Sequence, residues 1–198
     1  DVSLGAGLLW FGWFGFDAGS ALGANADAVI AFANTNIASA TAMITWVFYE
    51  RMLGRKMSAL GACIGAVVGL VAITPAAGFV NIGQSMFIGF VASIISNWAI
   101  NFKNKTGIDD TLDVFPSHGV GGIVGMLLTA VFASEVGLIY NQTSTFYYHV
   151  IALIITSVYC FGGSYFLYFI VDKLLSMRVR EDQESRGLDQ SQHGEKIE

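Results

Sequence analysis

An apolar stretch of the chain reads MSALGACIGAVVGLVAIT, from Met57 to Thr74, and contains no charged side chain. A helix needs about 20 mainly apolar residues to cross the hydrocarbon core of a bilayer. Glycines recur within this stretch at four-residue intervals, at Gly61, Gly65 and Gly69. Small residues at this interval let helix backbones approach closely in lipid. The stretch therefore predicts a tightly packed membrane span, and a narrow pore between such helices is the functional alternative.

Five further stretches have the same apolar character. The six predicted spans cover residues 3–22, 26–48, 57–74, 82–102, 117–134 and 146–175. The composition agrees, because 54% of the residues are hydrophobic and only 13% are charged, whereas soluble domains carry about 25% charge. The sequence predicts an all-α integral membrane protein, with a transmembrane domain over residues 1–176 and a cytoplasmic tail over residues 177–198.

The positions of the basic residues predict the orientation. All 10 Lys and Arg residues lie at the end of an even-numbered stretch or after it, as Arg51, Arg55, Lys56, Lys103, Lys105, Lys173, Arg178, Arg180, Arg186 and Lys196. Because cytoplasmic loops carry the excess of Lys and Arg, these loops and the C-terminus are expected inside the cell. The chain begins at Asp1 without a Met or a basic leader, so we expect the natural protein to begin upstream.

The same sequence argues against several other classes of protein. It contains no basic run and no aromatic–basic platform, so nucleic acid is not an expected partner. Cys63 and Cys160 lie within apolar stretches and outside any Cys-x-x-Cys pattern, which favours a packing role over a disulfide or a metal site. With no nucleotide loop, nucleophile triad or metal cluster in the sequence, we expect neither an enzyme nor a cofactor.

Four side chains of the first span are candidates for binding a solute. Trp13, Phe16, Asp17 and Ser20 are separated by three or four residues, so a helix places them on one broad face. Aromatic rings attract cations, more strongly where water is excluded, and a hydroxyl and a carboxylate can accept hydrogen bonds from one. The alternative is an aromatic belt at the membrane interface.

A second candidate site lies before the fifth span, where the sequence reads DVFPSHG from Asp113 to Gly119. Pro116 and Ser117 are typical of a helix start, with Ser117 as the capping residue. His118 then lies in the first turn, where an imidazole could take a proton on one side and release it on the other. A structural hydrogen bond is the alternative for His118, and a bracing role is favoured for Asp113.

A third candidate site follows the third span, at Thr74, Pro75 and Gly78. Pro and Gly end the helix and free backbone carbonyl groups. The Thr74 hydroxyl could face a polar solute.

These motifs together resemble the ammonium transporter family, and within it the Amt branch of the Amt/Mep/Rh proteins. The resemblance covers essentially the whole chain, in order, through the segments at residues 12–20, 34–35, 61–76, 113–120, 187–189 and 193–195. It implies an eleven-span fold made of two inverted five-helix repeats and a long last helix. This chain would supply spans six to eleven, and the whole protein would be a homotrimer with one pore in each subunit.

The resemblance also implies roles for single residues. Trp13 and Ser20 match positions that recruit ammonium at an outer vestibule, and Phe16 matches a ring of the gate below it. His118 matches the second of two pore histidines, which deprotonate ammonium so that ammonia can pass through an apolar pore. The pore would also be lined by two further residues, Thr74 and Val114.

The sequence departs from the family pattern at three positions. Asp17 replaces a usual Asn, and we expect its carboxylate to face the recruitment vestibule. Ile64 replaces a common Ser, so a hydroxyl near the vestibule is expected to be missing, and Pro116 replaces a common Gly. The family further implies methylammonium as a substrate analogue and a PII-type regulatory protein at the cytoplasmic face. An ammonium sensor that signals through its tail is the alternative function, and a Rh-like gas channel is disfavoured by the Amt-type tail.

Overall fold

The computed structural model describes residues 1–196, whose regular secondary structure is entirely helical. The six long helices are α1 (Val2–Gly19), α2 (Ala26–Met52), α3 (Ala59–Ile73), α4 (Ile82–Lys103), α5 (Gly121–Phe132) and α6 (Thr143–Leu174). A π-helical turn at Phe115–Val120 leads directly into α5, and we call the two together, Phe115–Phe132, the α5 segment. The short helix α7 (Glu181–Arg186) follows α6. Single helical turns lie at Leu138–Tyr140 and Asp189–His193. No strand occurs in residues 1–196. The predicted all-α class is confirmed, and each predicted span overlaps one helix.

Four helical segments are long and apolar enough to cross a membrane, namely Ala26–Met52, Ile82–Lys103, Phe115–Phe132 and Thr143–Leu174. Helix α3 has 15 residues and measures about 22 Å at 1.5 Å per residue, less than the hydrocarbon core of about 30 Å. Helix α1 has 18 residues and carries a carboxylate, Asp17. The two weaker spans are therefore the helices that carry or adjoin the polar candidates Asp17 and Thr74.

Side-chain caps fix where three of the helices begin. Asn25 accepts a hydrogen bond from the Ala28 amide at the start of α2, and Ser58 accepts one from the Gly61 amide at the start of α3. At the start of α4, Asn81 forms a reciprocal capping box with the residue three positions on. Each cap satisfies an amide that has no partner within its helix.

The closest helix packing is centred on Ala38 of α2, which is fully buried. A Cβ atom on Gly69 of α3 would lie 2.6 Å from the Ser39 Cα atom and 2.7 Å from the Ala38 carbonyl oxygen. A Cβ atom on Gly89 of α4 would collide with the same carbonyl oxygen. The glycines therefore let α3 and α4 approach the backbone of α2 from two sides, which supports the packing interpretation of the glycine spacing.

Serine hydroxyls cross between these helices where the backbones are close. Ser39 of α2 donates to the Ala66 carbonyl of α3, and Ser93 of α4 donates to the Ala42 carbonyl of α2, both with a length of 2.9 Å. All four residues are buried. Because an unpaired hydroxyl is costly at membrane depth, these bonds reinforce the same close packing.

The described residues form two compact units, of which the first is Asp1–Leu153 and the second begins at Ile154. All the candidate site residues lie in the first unit. The division into a transmembrane domain over residues 1–176 and a tail over residues 177–198 stays a prediction. Residues 197 and 198 of that tail lie outside the described residues.

Two glycines of α5 test the packing argument as a matched pair. Gly125→Ala places a methyl group against the Ala72 carbonyl of α3, whereas Gly122→Ala meets only a Val71 methyl at 3.8 Å. We expect Gly125→Ala to destabilise the protein by about 1–3 kcal/mol through overpacking. Gly122→Ala should be neutral or slightly stabilising, because Ala favours helix over Gly by about 1 kcal/mol. Thermal unfolding of the full natural gene product in detergent measures both, and equal effects would contradict the argument.

Candidate functional site

A cavity of about 450 Å³ opens where α1 ends, α2 begins and α3 ends. We call it the Asp17 cavity. Its lining residues come from these three places and are Phe16, Asp17, Ser20, Ala21, Asp27, Ala31, Thr74, Ala77, Gly78 and Phe79. The structure therefore brings four of the predicted site residues to one cavity, namely Phe16, Asp17, Ser20 and Thr74. A fifth, Trp13, is hydrogen-bonded to Thr74.

The Asp17 carboxylate is buried, with 7% of its surface exposed. The Thr35 hydroxyl of α2 lies 2.6 Å from Oδ2 of Asp17 and 2.7 Å from the Ala31 carbonyl oxygen. Within residues 1–196, Oδ1 of Asp17 has no hydrogen-bond partner. Buried acceptors are nearly always satisfied in folded proteins. A cavity-lining residue with an unsatisfied buried acceptor is therefore a candidate to meet a solute that donates hydrogen bonds.

Ser20 presents its oxygen to the same cavity as an acceptor. Its hydroxyl donates to the Phe16 carbonyl oxygen at 2.7 Å, which uses its only proton and leaves its lone pairs available. The Phe16 ring is 62% exposed, and its centroid lies 5.4 Å from that of the Trp13 ring, tilted by 55°. Two aromatic rings and an accepting oxygen are suited to a small cation.

Thr74 holds the Trp13 ring in place. Its hydroxyl oxygen accepts a hydrogen bond of 2.8 Å from Nε1 of Trp13, and the hydroxyl donates to the Leu70 carbonyl oxygen, also at 2.8 Å. The single proton of Thr74 is therefore engaged within α3. We infer that Thr74 acts on a solute chiefly through the indole that it positions.

Asn34 of α2 holds the chain that follows α3, a role that sequence reasoning missed. Its side-chain amide donates to the carbonyl oxygens of Ala77 and Val80, at 2.8 and 2.7 Å, and so satisfies carbonyls freed by the end of α3. Asn34 and Thr35 are both fully buried. The signal in the sequence was this polar pair within an apolar stretch, since polar residues at membrane depth usually have a partner.

His118 lines a second cavity of about 240 Å³, the His118 cavity, and is absent from the lining of the first. Its lining residues come from α1, α3 and the start of the α5 segment and are Val2, Gly5, Ala6, Leu9, Cys63, Ile64, Val67, Leu112, Ser117 and His118. Ile64 therefore lies beside His118 and outside the lining of the Asp17 cavity, and the expectation that it leaves a hydroxyl missing near the vestibule stays a prediction. Position 64 precedes Thr74 by ten residues, about 15 Å along a helix.

The α5 segment begins differently from the sequence prediction. Ser117 is buried within the π-helical turn, and the residue at the N-cap position is Val114, whose side chain makes no capping hydrogen bond. Instead, the Asp110 carboxylate accepts hydrogen bonds of 2.9 Å from the Val114 and Phe115 amides. The prediction of Ser117 as the cap is wrong, because the chain before the turn folds back and brings an earlier acidic residue to the free amides.

Asp113 and Val114 lie at the head of the π-helical turn and do not line either cavity described here. Asp113 forms an ion pair of 2.7 Å with Lys103, the last residue of α4. Its backbone has a φ of +52°, a conformation that Asp tolerates better than most residues. Val114 is 50% exposed. Asp113 thus ties the start of the turn to the end of α4.

The Asp110 carboxylate lies in the loop between the spans, where its environment favours the charged form. Partial burial on its own raises the pKa of Asp110. The amide donors of Phe115 and Val114 and the charge of Lys103 outweigh that effect and hold its pKa below the ordinary value.

The apolar helices are those of a membrane protein, and the polar cavity between them is a candidate site for a small solute. A family model described as "Ammonium Transporter Family" matches residues 2–197. An ammonium transporter of Aquifex aeolicus is 46% identical over 98% of this chain and 47% of the relative.

Solved structures agree with the sequence comparison. The crystal structure of Candida albicans Mep2 matches with a TM-score of 0.85 and 34% identity, over 91% of this chain and 43% of that one. A structure named "Sensor Amt Protein" matches with a TM-score of 0.88 and 30% identity, over 96% of this chain and 48% of that one.

The chain belongs to the ammonium transporter family. It spans about half the length of the curated relatives it matches. The predicted family and fold are confirmed, and the relatives are named as transporters rather than enzymes, in agreement with the prediction.

The bond between Thr35 and Asp17 can be tested with a matched threonine. Thr35→Val removes the donor to a buried carboxylate, and we expect it to destabilise the protein by about 1–3 kcal/mol. Thr129 is also buried, but its hydroxyl bonds only to the Gly125 carbonyl of its own helix, so Thr129→Val should cost less. Thermal unfolding in detergent compares them, and a smaller loss in Thr35→Val would count against the assigned bond.

The lowered pKa of Asp110 predicts a pH window for its cap. A carboxyl whose pKa is depressed by folding contributes stability above its unfolded value, about 3.9, and loses it as the pH falls through the folded value. The difference in melting temperature between the natural protein and Asp110→Asn should stay constant from about pH 7 to pH 5 and shrink below about pH 4. A difference that shrinks already near neutral pH would contradict the assignment.

Proposed function

We propose that this chain forms one half of an ammonium transporter and that the Asp17 cavity receives the ammonium ion. The observation that carries the proposal is the Asp17 side chain, which lines the cavity and whose buried Oδ1 has no hydrogen-bond partner within residues 1–196. Family membership supports the choice of ammonium over other cations.

The chemistry of the cavity matches the charged form of the solute. Ammonium carries one positive charge and four N–H donors and accepts no hydrogen bond. Asp17 and Ser20 carry oxygens that can accept from it, while the rings of Trp13 and Phe16 can stabilise a cation that lies over their faces. Neutral ammonia would gain less from the carboxylate, so the cavity is suited to recruit the ion.

We propose that the ion loses its proton before it passes His118. A bare ammonium ion is costly in apolar surroundings, and the His118 cavity has apolar walls that include Ile64 and Val67. An imidazole can accept a proton at one nitrogen and release it from the other. Ammonia would then pass His118 as a small neutral molecule, with Val114 as part of the inner constriction.

The topology of the proposed transporter follows from its charges. The basic residues after or at the end of the even-numbered spans favour a cytoplasmic C-terminus and an outward-facing Asp17 cavity, and the family resemblance implies a plasma-membrane location. We further propose a homotrimer, transport of methylammonium as an analogue, and a PII-type regulatory protein at the cytoplasmic face, all of which the family resemblance implies.

An ammonium sensor is the second candidate function. The observation that favours it is the match to the structure named "Sensor Amt Protein". A sensor would bind ammonium in the Asp17 cavity without needing to move it across the membrane. Uptake measurements therefore separate the two candidates, whereas binding alone does not.

Asp17→Asn tests the recruitment site in the full natural gene product. The substitution keeps the size of the side chain and the acceptor toward Thr35 but removes the charge. We expect the ammonium concentration at half-maximal uptake to rise about tenfold, as befits the loss of a hydrogen bond to a charged group. Uptake of radiolabelled methylammonium into proteoliposomes, with ammonium as the competitor, gives this concentration.

Asp109→Asn serves as the control, because Asp109 is an exposed acidic residue in the loop before α5. It removes the same charge and should leave the half-maximal concentration unchanged. Unchanged values in both variants would remove Asp17 from the proposed site. Equal rises in both would show a general effect of net charge.

A further inference from the structure

Three charged residues outside both cavities hold the start of the α5 segment against the end of α4. Nζ of Lys103 lies 2.7 Å from Oδ1 of Asp113 and donates to the Asp110 carbonyl oxygen at 2.8 Å. The side chains of Lys103 and Asp113 are only 14% and 20% exposed. We call these three residues the Lys103 clasp.

Each member of the clasp fixes a different part of the same short segment. The carboxylate of Asp110 accepts from the Val114 and Phe115 amides, while its carbonyl is held by Lys103. Asp113, between them, adopts the left-handed backbone conformation and pairs with the same lysine. The charged end of the Lys103 side chain thus fixes the chain at both ends of the turn that precedes Val114.

The segment that follows carries the two proposed pore residues. Val114 immediately precedes the π-helical turn, and His118 lies within that turn. Because the backbone from Val114 onward is helical, a shift of Val114 would also move the turn. The position of the proposed inner constriction therefore depends on a lysine that does not line either cavity described here.

We propose that Lys103 is a positioning residue that sets the width of the constriction at Val114 and so limits the size of the amine that passes. This selectivity rests on the proposed transport function. Hydrogen bonds that involve a charged group are stronger and shorter than hydrogen bonds between neutral groups. Those of Lys103 can therefore hold a fixed geometry at the proposed constriction. A purely structural ion pair would change the amount of folded protein but not the discrimination between amines.

Transport selectivity in the full natural gene product tests the proposal. Lys103→Met keeps the length of the side chain and removes its charge and donors, so the constriction should loosen. We expect the ratio of methylammonium to ammonium flux to rise by about tenfold, the discrimination that an apolar site commonly gains against one extra carbon. Ammonium concentration at half-maximal uptake should not change, because the Asp17 cavity is untouched.

Two matched variants accompany this measurement. Lys103→Arg retains the charge and the donors and should keep the flux ratio close to that of the natural protein. Lys105→Met removes a charge from an exposed lysine in the following loop and should also leave the ratio unchanged. A flux ratio that stays constant in Lys103→Met, or that rises equally in Lys105→Met, overturns the proposal.

Hydrogen–deuterium exchange gives a readout that does not require transport. In Lys103→Met we expect the Val114 and Phe115 amides to exchange about fivefold faster, the effect expected from weakening a helix cap. Unchanged exchange at these amides overturns the clasp even if the protein transports ammonium normally. If the natural protein transports neither amine, the proposed function fails and the proposed selectivity fails with it. Faster exchange in Lys103→Met would still show that Lys103 holds the Val114 and Phe115 amides in place.

Discussion

The close approach of α3 and α4 to the backbone of α2 at Ala38 is the constraint on which the rest of the structure depends. Glycines 69 and 89 remove the side chains that would keep these helices apart. In lipid there is no hydrophobic drive to bring helices together, so close van der Waals packing and hydrogen bonds between helices take its place. The packed helix α2 then acts as a scaffold on which the other elements are aligned.

Helix α2 also carries the polar residues that define the site. Asn34 holds the chain after α3, and Thr35 binds Asp17 of α1, so the three walls of the Asp17 cavity are joined through adjacent residues of one helix. Bonds of this kind satisfy groups that water cannot reach. Oδ1 of Asp17 departs from this pattern, because it has no hydrogen-bond partner within residues 1–196, and in the proposed function the ammonium ion supplies the donor.

The sequence predicted the helices well because apolar length and basic loops are local signals. It also placed Phe16, Asp17 and Ser20 together, since residues three and four apart share a helix face. The sequence could not show that Thr35 contacts Asp17 or that the Thr74 hydroxyl donates to the Leu70 carbonyl. Nor could it show that Asp110, and not Ser117, caps the π-helical turn. These contacts depend on helix rotation and on a folded-back loop, and neither leaves a periodic pattern in the sequence.

The measurement that tests the central claim most directly is the current evoked by ammonium in proteoliposomes that contain the full natural gene product, recorded together with uptake of labelled methylammonium. We predict saturable transport by the full protein and none by the 198-residue chain alone, because this chain supplies only one wall of the proposed pore. Binding of ammonium to the full protein with neither current nor uptake would contradict transport and favour the sensor.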